Sequence, residues 1–208
     1  MKTKINSKVL MSIVGFWFIL TLINYYYTPY FILPVIWTGV SLFFGVFTIA
    51  LILRLIKERK KPNKLEVQKL IVFSLLFFLT FFDFFTHGII EKIDWMILYN
   101  KRIDIIEKVK NNELNPNVSW NDRLCQLQFE FPVVSNGGND IIIKRNNNIG
   151  TCTVVFWVYR NFFSSPSTHF IYTNDPEEIN RIENKIKHRP SDNWKIEENW
   201  YRTFGYFE

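Results

Sequence analysis

Cysteine and histidine are scarce in this 208-residue chain, with only Cys125, Cys152, His87, His169 and His188. Two cysteines exclude a disulfide-dense scaffold, and three histidines scattered over a span, a strand and a helix end have no zinc-ligand spacing. No metal or cofactor is expected, and no catalytic or nucleotide-binding constellation is found. Small residues are missing where a signal peptidase would cut. The first apolar segment ends in NYYYTPY, without an A-x-A site, and reads as uncleaved.

Charge is missing over long stretches of the amino-terminal half. Residues 9–27 and 30–53 carry none, and residues 70–90 carry only Asp83 besides His87. Each run is long enough to cross a bilayer. Tyr25, Tyr26, Tyr27 and Tyr30 form an aromatic belt around the turn between the first two spans. Ser41 and Gly45 make a small-xxx-small step that lets helices approach closely.

The net charge of +6 is a topology signal rather than a nucleic-acid footprint. Residues 1–69 hold 10 Lys or Arg and 2 Glu, whereas residues 70–208 hold 15 basic and 17 acidic residues. The cations sit at the amino terminus (Lys2, Lys4, Lys8) and between spans two and three (Arg54, Lys57, Arg59, Lys60, Lys61, Lys64). Both segments belong in the cytoplasm, and three spans then leave the carboxyl terminus outside, in a periplasm or beyond the cell. The Asn, Ile, Lys and Phe content matches AT-rich codons and points to a bacterial source.

Beyond the third span, Ile89, Ile93, Met96, Ile103 and Ile106 recur at helical spacing, a stalk helix that either packs on its own domain or pairs subunits. NNELNPN ends it. From Arg123 the period becomes two: Cys125, Leu127, Phe129 and Phe131 alternate with polar residues as a half-buried strand does. Asn136-Gly137-Gly138 reads as the hairpin turn to a second strand at 141–144. TCTVVFWVY is apolar on both faces and reads as a central strand, with HFIYT as the fourth. Asp175, Pro176 and Glu178 mark a helix start, Ile179, Ile182 and Ile186 give that helix one apolar face, and WKIEENWYRTFGYF returns as a hairpin.

The expected architecture is a membrane protein with three transmembrane α-helices over residues 1–90, a stalk helix and linker over 91–118, and an extracytoplasmic α+β domain over 119–208. That domain is an antiparallel sheet with one or two helices. Asp83 and His87 are one turn apart, either a proton- or ion-responsive site or a polar clasp to another helix, against the plainer reading that outer headgroups wet them. Cys125 and Cys152 share an inward face and an oxidising side, so they form either a disulfide or two buried free thiols. Ser164, Ser165 and Ser167 near His169 lack the elbow and third member of a triad, and Glu197 and Glu198 read as a turn. The expected partners are the lipid bilayer and another envelope protein or a second copy, with no nucleic acid. The function expected is that of a non-enzymatic interaction, accessory or immunity-type protein, with an ion-responsive membrane component as the alternative.

Overall fold

Apolar sequence without charge satisfies its amides within one helix, the only open-ended arrangement a bilayer tolerates. In the computed structural model, Ser7–Tyr27 forms α1 and Ile32–Glu58 forms α2, and both are long and apolar enough to cross a membrane. The structure describes residues 6–27, 32–58, 63–146, 149–160 and 166–206, apart from the side chains of residues 32–34, 58 and 83–85. The described chain divides into two units. One comprises residues within 1–25 and 30–90, and the other residues within 26–29 and 91–208.

The third apolar segment is not one helix. α3 covers Lys64–Phe81 and α4 covers Asp83–Lys110, with Phe82 (φ −102°, ψ 55°) outside helical geometry between them. Counted as one broken span, the pair brings the candidate crossings to three. The interruption has a local reason: an acidic residue is costly in mid-span but favoured in the first turn of a helix, and Asp83 is the first residue of α4. The freed carbonyl of Leu79 accepts a hydrogen bond from Thr86 Oγ1 at 3.1 Å. α3 begins with a capping box, in which Asn63 Oδ1 accepts from the Glu66 amide and Glu66 accepts from the Asn63 amide.

Within the first unit, Leu10, Trp17, Trp37, Phe44, Phe73 and Leu76 form the buried apolar cluster. Gly45 faces the Phe77 ring, where an added Cβ would come within 3.0 Å of it. This is the close approach that the small-residue step implied.

The second unit is built on a six-stranded antiparallel sheet of order β1-β2-β3-β4-β6-β5. Its strands are β1 (Leu124–Gln126), β2 (Asp140–Asn146), β3 (Thr151–Tyr159), β4 (Ser167–Thr173), β5 (Trp194–Glu197) and β6 (Trp200–Gly205). β3 and β4 are central and buried on both faces. On one face lies α5 (Pro176–His188), whose Ile179, Ile182 and Ile186 pack on Ile142, Val155, Ile171 and Tyr201. Asp175 caps α5 by accepting from the amides of Glu177 and Glu178 at 2.9 and 3.4 Å. Asp175→Ala is expected to lower the stability of this unit by about 1 kcal/mol, measured as a shift in denaturation midpoint. A variant matching the parent would show that the cap contributes nothing.

α4 covers the opposite face, in a phase that Ile106 of the isoleucine pattern shares and Ile89, Ile93 and Met96 do not. Leu98, Arg102, Ile105, Ile106 and Val109 are buried and Trp95 meets Phe170 and Trp200, while Ile93 and Met96 are exposed. Arg102 sits in the middle of the sheet-facing ridge, although its charge places it on the polar side of a sequence-derived wheel. The helix is therefore an element of the domain from Glu91 onward. Asn112, at φ 59°, turns the chain out of it, and Arg145 donates to the carbonyls of Val109 and Leu114 at 2.9 and 2.7 Å, serving the negative end of the helix.

The expected strand over 123–131 shortens to β1, because β2 offers it partners only at Asp140, Ile141 and Ile142. Residues 127–139 instead form a loop whose inner part runs beside the end of β3. The Asn136 amide donates to Trp157 O at 2.7 Å, the Trp157 amide donates to Ser135 Oγ at 2.9 Å, and Asn136 Nδ2 bonds Val158 O at 2.5 Å. Gly137 and Gly138 do take positive φ, but they lie in a long connection between the paired strands β1 and β2 rather than in a tight hairpin turn.

Candidate functional site

The helices of the first unit carry a polar seam. Trp17, Thr21 and Asn24 recur at steps of four and three along α1. Trp17 Nε1 donates to Thr80 Oγ1 at 2.8 Å, Thr80 Oγ1 donates to Leu76 O at 2.6 Å, and Thr21 Oγ1 donates to Trp17 O at 2.9 Å. His87 meets Asn24 through its Nε2 at 3.3 Å, with the Tyr25 ring 6.1 Å away. Of the residues singled out in the third span, His87 thus joins α1, whereas the Asp83 side chain lies outside the described residues. Thr21 and Asn24 were visible as the polar exceptions of an apolar run, one helical turn apart.

The second unit contains a buried ion pair that charge patterning does not reveal. Asp94 and Arg102 lie eight residues apart on α4, with 1% of each side chain exposed, and Arg102 Nη2 meets Asp94 Oδ2 at 2.5 Å. Tyr26, at the end of α1, donates its hydroxyl to Asp94 Oδ1 at 3.0 Å. The rest of the guanidinium is engaged: Nε and Nη2 donate to Val134 O at 3.2 and 3.1 Å, Nη1 donates to Asp94 O at 3.3 Å, and the Phe170 ring lies 5.0 Å away. The Gly137 amide donates to Tyr26 O at 3.0 Å. Each carboxylate oxygen has its donor and the guanidinium is spread over three acceptors, so chemically the cluster is a clamp. It ties Tyr26 to α4 and to the 127–139 loop.

Cys125 and Cys152 are buried free thiols, the second of the two expected alternatives. They do share the α4 face of the sheet. Cys125 aligns with Ile141 and Phe156, whereas Cys152 lies four residues along β3 and pairs with Arg145. Two strand spacings and four residues separate their Cα atoms by about 16 Å, more than twice what a disulfide spans. Burial pushes both thiols up, which keeps them protonated and unreactive.

His169 is buried on β4 beside Trp157, whose ring centroid is 6.0 Å away. Burial first, then the cations Lys185, Arg160 and Arg202, hold it neutral down to about 3. Its folded-state value is below its unfolded one, so the unfolded chain takes the proton first. Its contribution to stability is complete above about pH 6.5 and is lost as pH falls from there towards 3. The expected slope is about 1.4 kcal/mol per pH unit, measured by denaturant unfolding at successive pH values. His169→Gln should flatten it, and equal slopes in parent and variant would remove His169 as the cause.

Ser167 is buried on β4, Ser164 and Ser165 lie outside the described residues, and Glu197 and Glu198 lie at the β5–β6 turn, where Asn199 takes φ 63°. Among the described residues, no three His, Cys, Asp or Glu side chains gather as a metal ion would require. A polar cleft of about 580 Å³ opens beside the start of α5, lined by Lys144, Arg145, Asp175, Glu178 and Arg181 among others. Its cations are engaged, Arg181 by Glu178 at 2.5 Å and Arg145 by the α4 carbonyls.

The described residues form an apolar helical unit and an α+β unit. Comparison of the chain with protein-family models, curated proteins and solved structures gives no match.

Proposed function

We propose that this chain is a three-span membrane protein of a bacterial envelope that holds its α+β domain outside the cytoplasm as a non-enzymatic binding module. Another envelope protein is its partner, in an accessory or immunity-type role. The observation that carries the reading is the set of apolar helices: α1 and α2 are each long enough to cross a bilayer, and the broken pair α3–α4 counts as a third crossing. With the basic segments at residues 2–8 and 54–64 on the cytoplasmic side, three crossings leave the chain beyond Glu91 outside. The non-enzymatic reading is supported by the domain's buried and half-buried charges, which are engaged in structural contacts: the buried Asp94 with Arg102, and the half-buried Glu91 with Arg202 at 3.0 Å.

A reporter active only outside the cytoplasm, fused after residue 208, should report, and the same reporter within residues 57–64 should not. The reverse pattern would overturn the topology. Crosslinking in intact cells should then join the domain to an envelope protein. A purified domain that turns over a substrate would instead overturn the non-enzymatic role.

The contact between His87 and Asn24 favours a second reading, an ion- or proton-responsive membrane component centred on Asp83 and His87. Asp83→Asn decides it. A lost phenotype with the domain still folded supports that reading, and unchanged insertion and phenotype end it.

A further inference from the structure

The domain leaves one group of large apolar side chains in the open beside the end of α1. Phe129 and Phe131 are 69% and 60% exposed, and on α4 Ile93, Met96 and Ile97 are 44%, 68% and 67% exposed. The two sets are joined. Lys101, one turn beyond Ile97, forms an ion pair with Glu130, which lies between the two phenylalanines. Side chains of this size at isolated surface positions are ordinary, but a joined group marks a surface that something covers.

Its depth can be read from α1. Twenty-one residues make a helix about 31 Å long, close to the ~30 Å hydrocarbon core of a bilayer. Tyr26 and Tyr27 therefore stand where α1 leaves the hydrocarbon. The Phe131 ring lies 5.5 Å from that of Tyr26, and the Phe129 ring 6.4 Å from that of Tyr27. The headgroup layer on each side is about 5–8 Å thick, so both rings lie within about one such thickness of the level at which α1 leaves the hydrocarbon.

We infer that this face, residues 129–131 of the loop with Ile93, Met96 and Ile97 of α4, is a membrane-contact surface that rests in the headgroup layer of the outer leaflet. The inference rests on the spanning of α1 proposed above. Phenylalanine and large aliphatic side chains bordered by lysine are what an interfacial surface presents to the boundary between headgroups and acyl chains. The Lys101–Glu130 pair favours lipid over a protein partner, since headgroups and water solvate it there, whereas a packed protein interface would strip both charges. The domain is thus held at the membrane along an edge, which limits its tilt and leaves the α5 face, on the other side of the sheet, for a partner.

The test uses the full chain reconstituted in vesicles of phosphatidylcholine and phosphatidylglycerol. An environment-sensitive fluorophore is attached through Phe129→Cys, Met96→Cys or, as the aqueous reference on α5, Glu177→Cys. The native thiols are buried, and labelling of the parent chain checks that they stay silent. Lipids carrying a nitroxide near the headgroup should cause a loss of emission at positions 129 and 96 and leave position 177 unchanged. Equal emission at all three would overturn the inference. So would self-quenching at 129 and 96 that follows protein density and ignores the lipid quencher, since a second copy would then cover the face. Circular dichroism of each variant separates an unfolded domain from a dry one, and positions 129 and 96 test the surface on two elements. If the reporter fusion places the domain in the cytoplasm while the labels are still quenched, the contact stands and the sidedness falls. If the domain is outside and the labels are unquenched, the sidedness stands and the contact falls.

Discussion

Arg102→Met is expected to lower the stability of the α+β unit by about 3–5 kcal/mol. Methionine keeps most of the volume and removes the charge, which leaves Asp94 without its cationic partner in a site with 1% of its side chain exposed. The Tyr26 hydroxyl remains as one donor to Oδ1, but Oδ2 loses its guanidinium partner and Val134 O loses its guanidinium donors. An unpaired buried carboxylate is the costly outcome, whereas removing both charges is not. The double variant Arg102→Met with Asp94→Leu should therefore recover most of the loss. Arg102→Lys should not, because an ammonium does not reproduce the planar fork that reaches Asp94 and Val134 together. Urea unfolding of the full chain in mild detergent, followed by tryptophan fluorescence, measures all three. Additive losses in the double variant would show that the two residues act separately.

Trp200→Ala is expected to cost about 3–5 kcal/mol, comparable to the whole margin of a less stable domain. Trp200 is 1% exposed at the start of β6, and three rings surround it: Trp95 at 4.9 Å, Tyr172 at 5.6 Å and Phe156 at 5.9 Å. It is the point at which α4 and three strands meet, so alanine opens a cavity whose walls belong to four elements and collapse poorly. Trp200→Phe keeps a ring in the site and should lose less. The same unfolding measurement applies, and an unchanged midpoint for Trp200→Ala would mean that the cluster does not hold α4 to the sheet.

The two variants probe contacts of different legibility. Trp200 lies in a segment that reads as a hairpin with buried aromatics, and its strand, its turn at Asn199 and its burial follow from local pattern. Asp94 and Arg102 are two of many charges on an amphipathic helix. Which of them face inward depends on the helix phase, and Ile89, Ile93 and Met96 pull the inferred phase towards themselves. These three share a face, but not the one on the sheet, on which Ile106 of the same stripe is buried. A membrane surface beside the domain explains how one helix can carry two apolar faces, one for the sheet and one for lipid headgroups.

Local chemistry alone determined several features. Two charge-free runs could only be helices long enough to cross a bilayer, the asymmetry of lysine and arginine separated one end of the chain from the other, and Asp175-Pro176 began α5 where a cap and a first-turn proline require. These properties reside in a few neighbouring residues. Tertiary structure decided the phase of α4, the separation of Cys125 from Cys152 and the burial of Asp94 with Arg102 and Tyr26. Each depends on partners far away in sequence: Tyr26 and Asp94 are 68 residues apart, and Cys125 and Cys152 share a face but differ in register. Period and charge report which face a residue occupies; the distance between two residues on that face is set only when the strands have paired and the helices have docked.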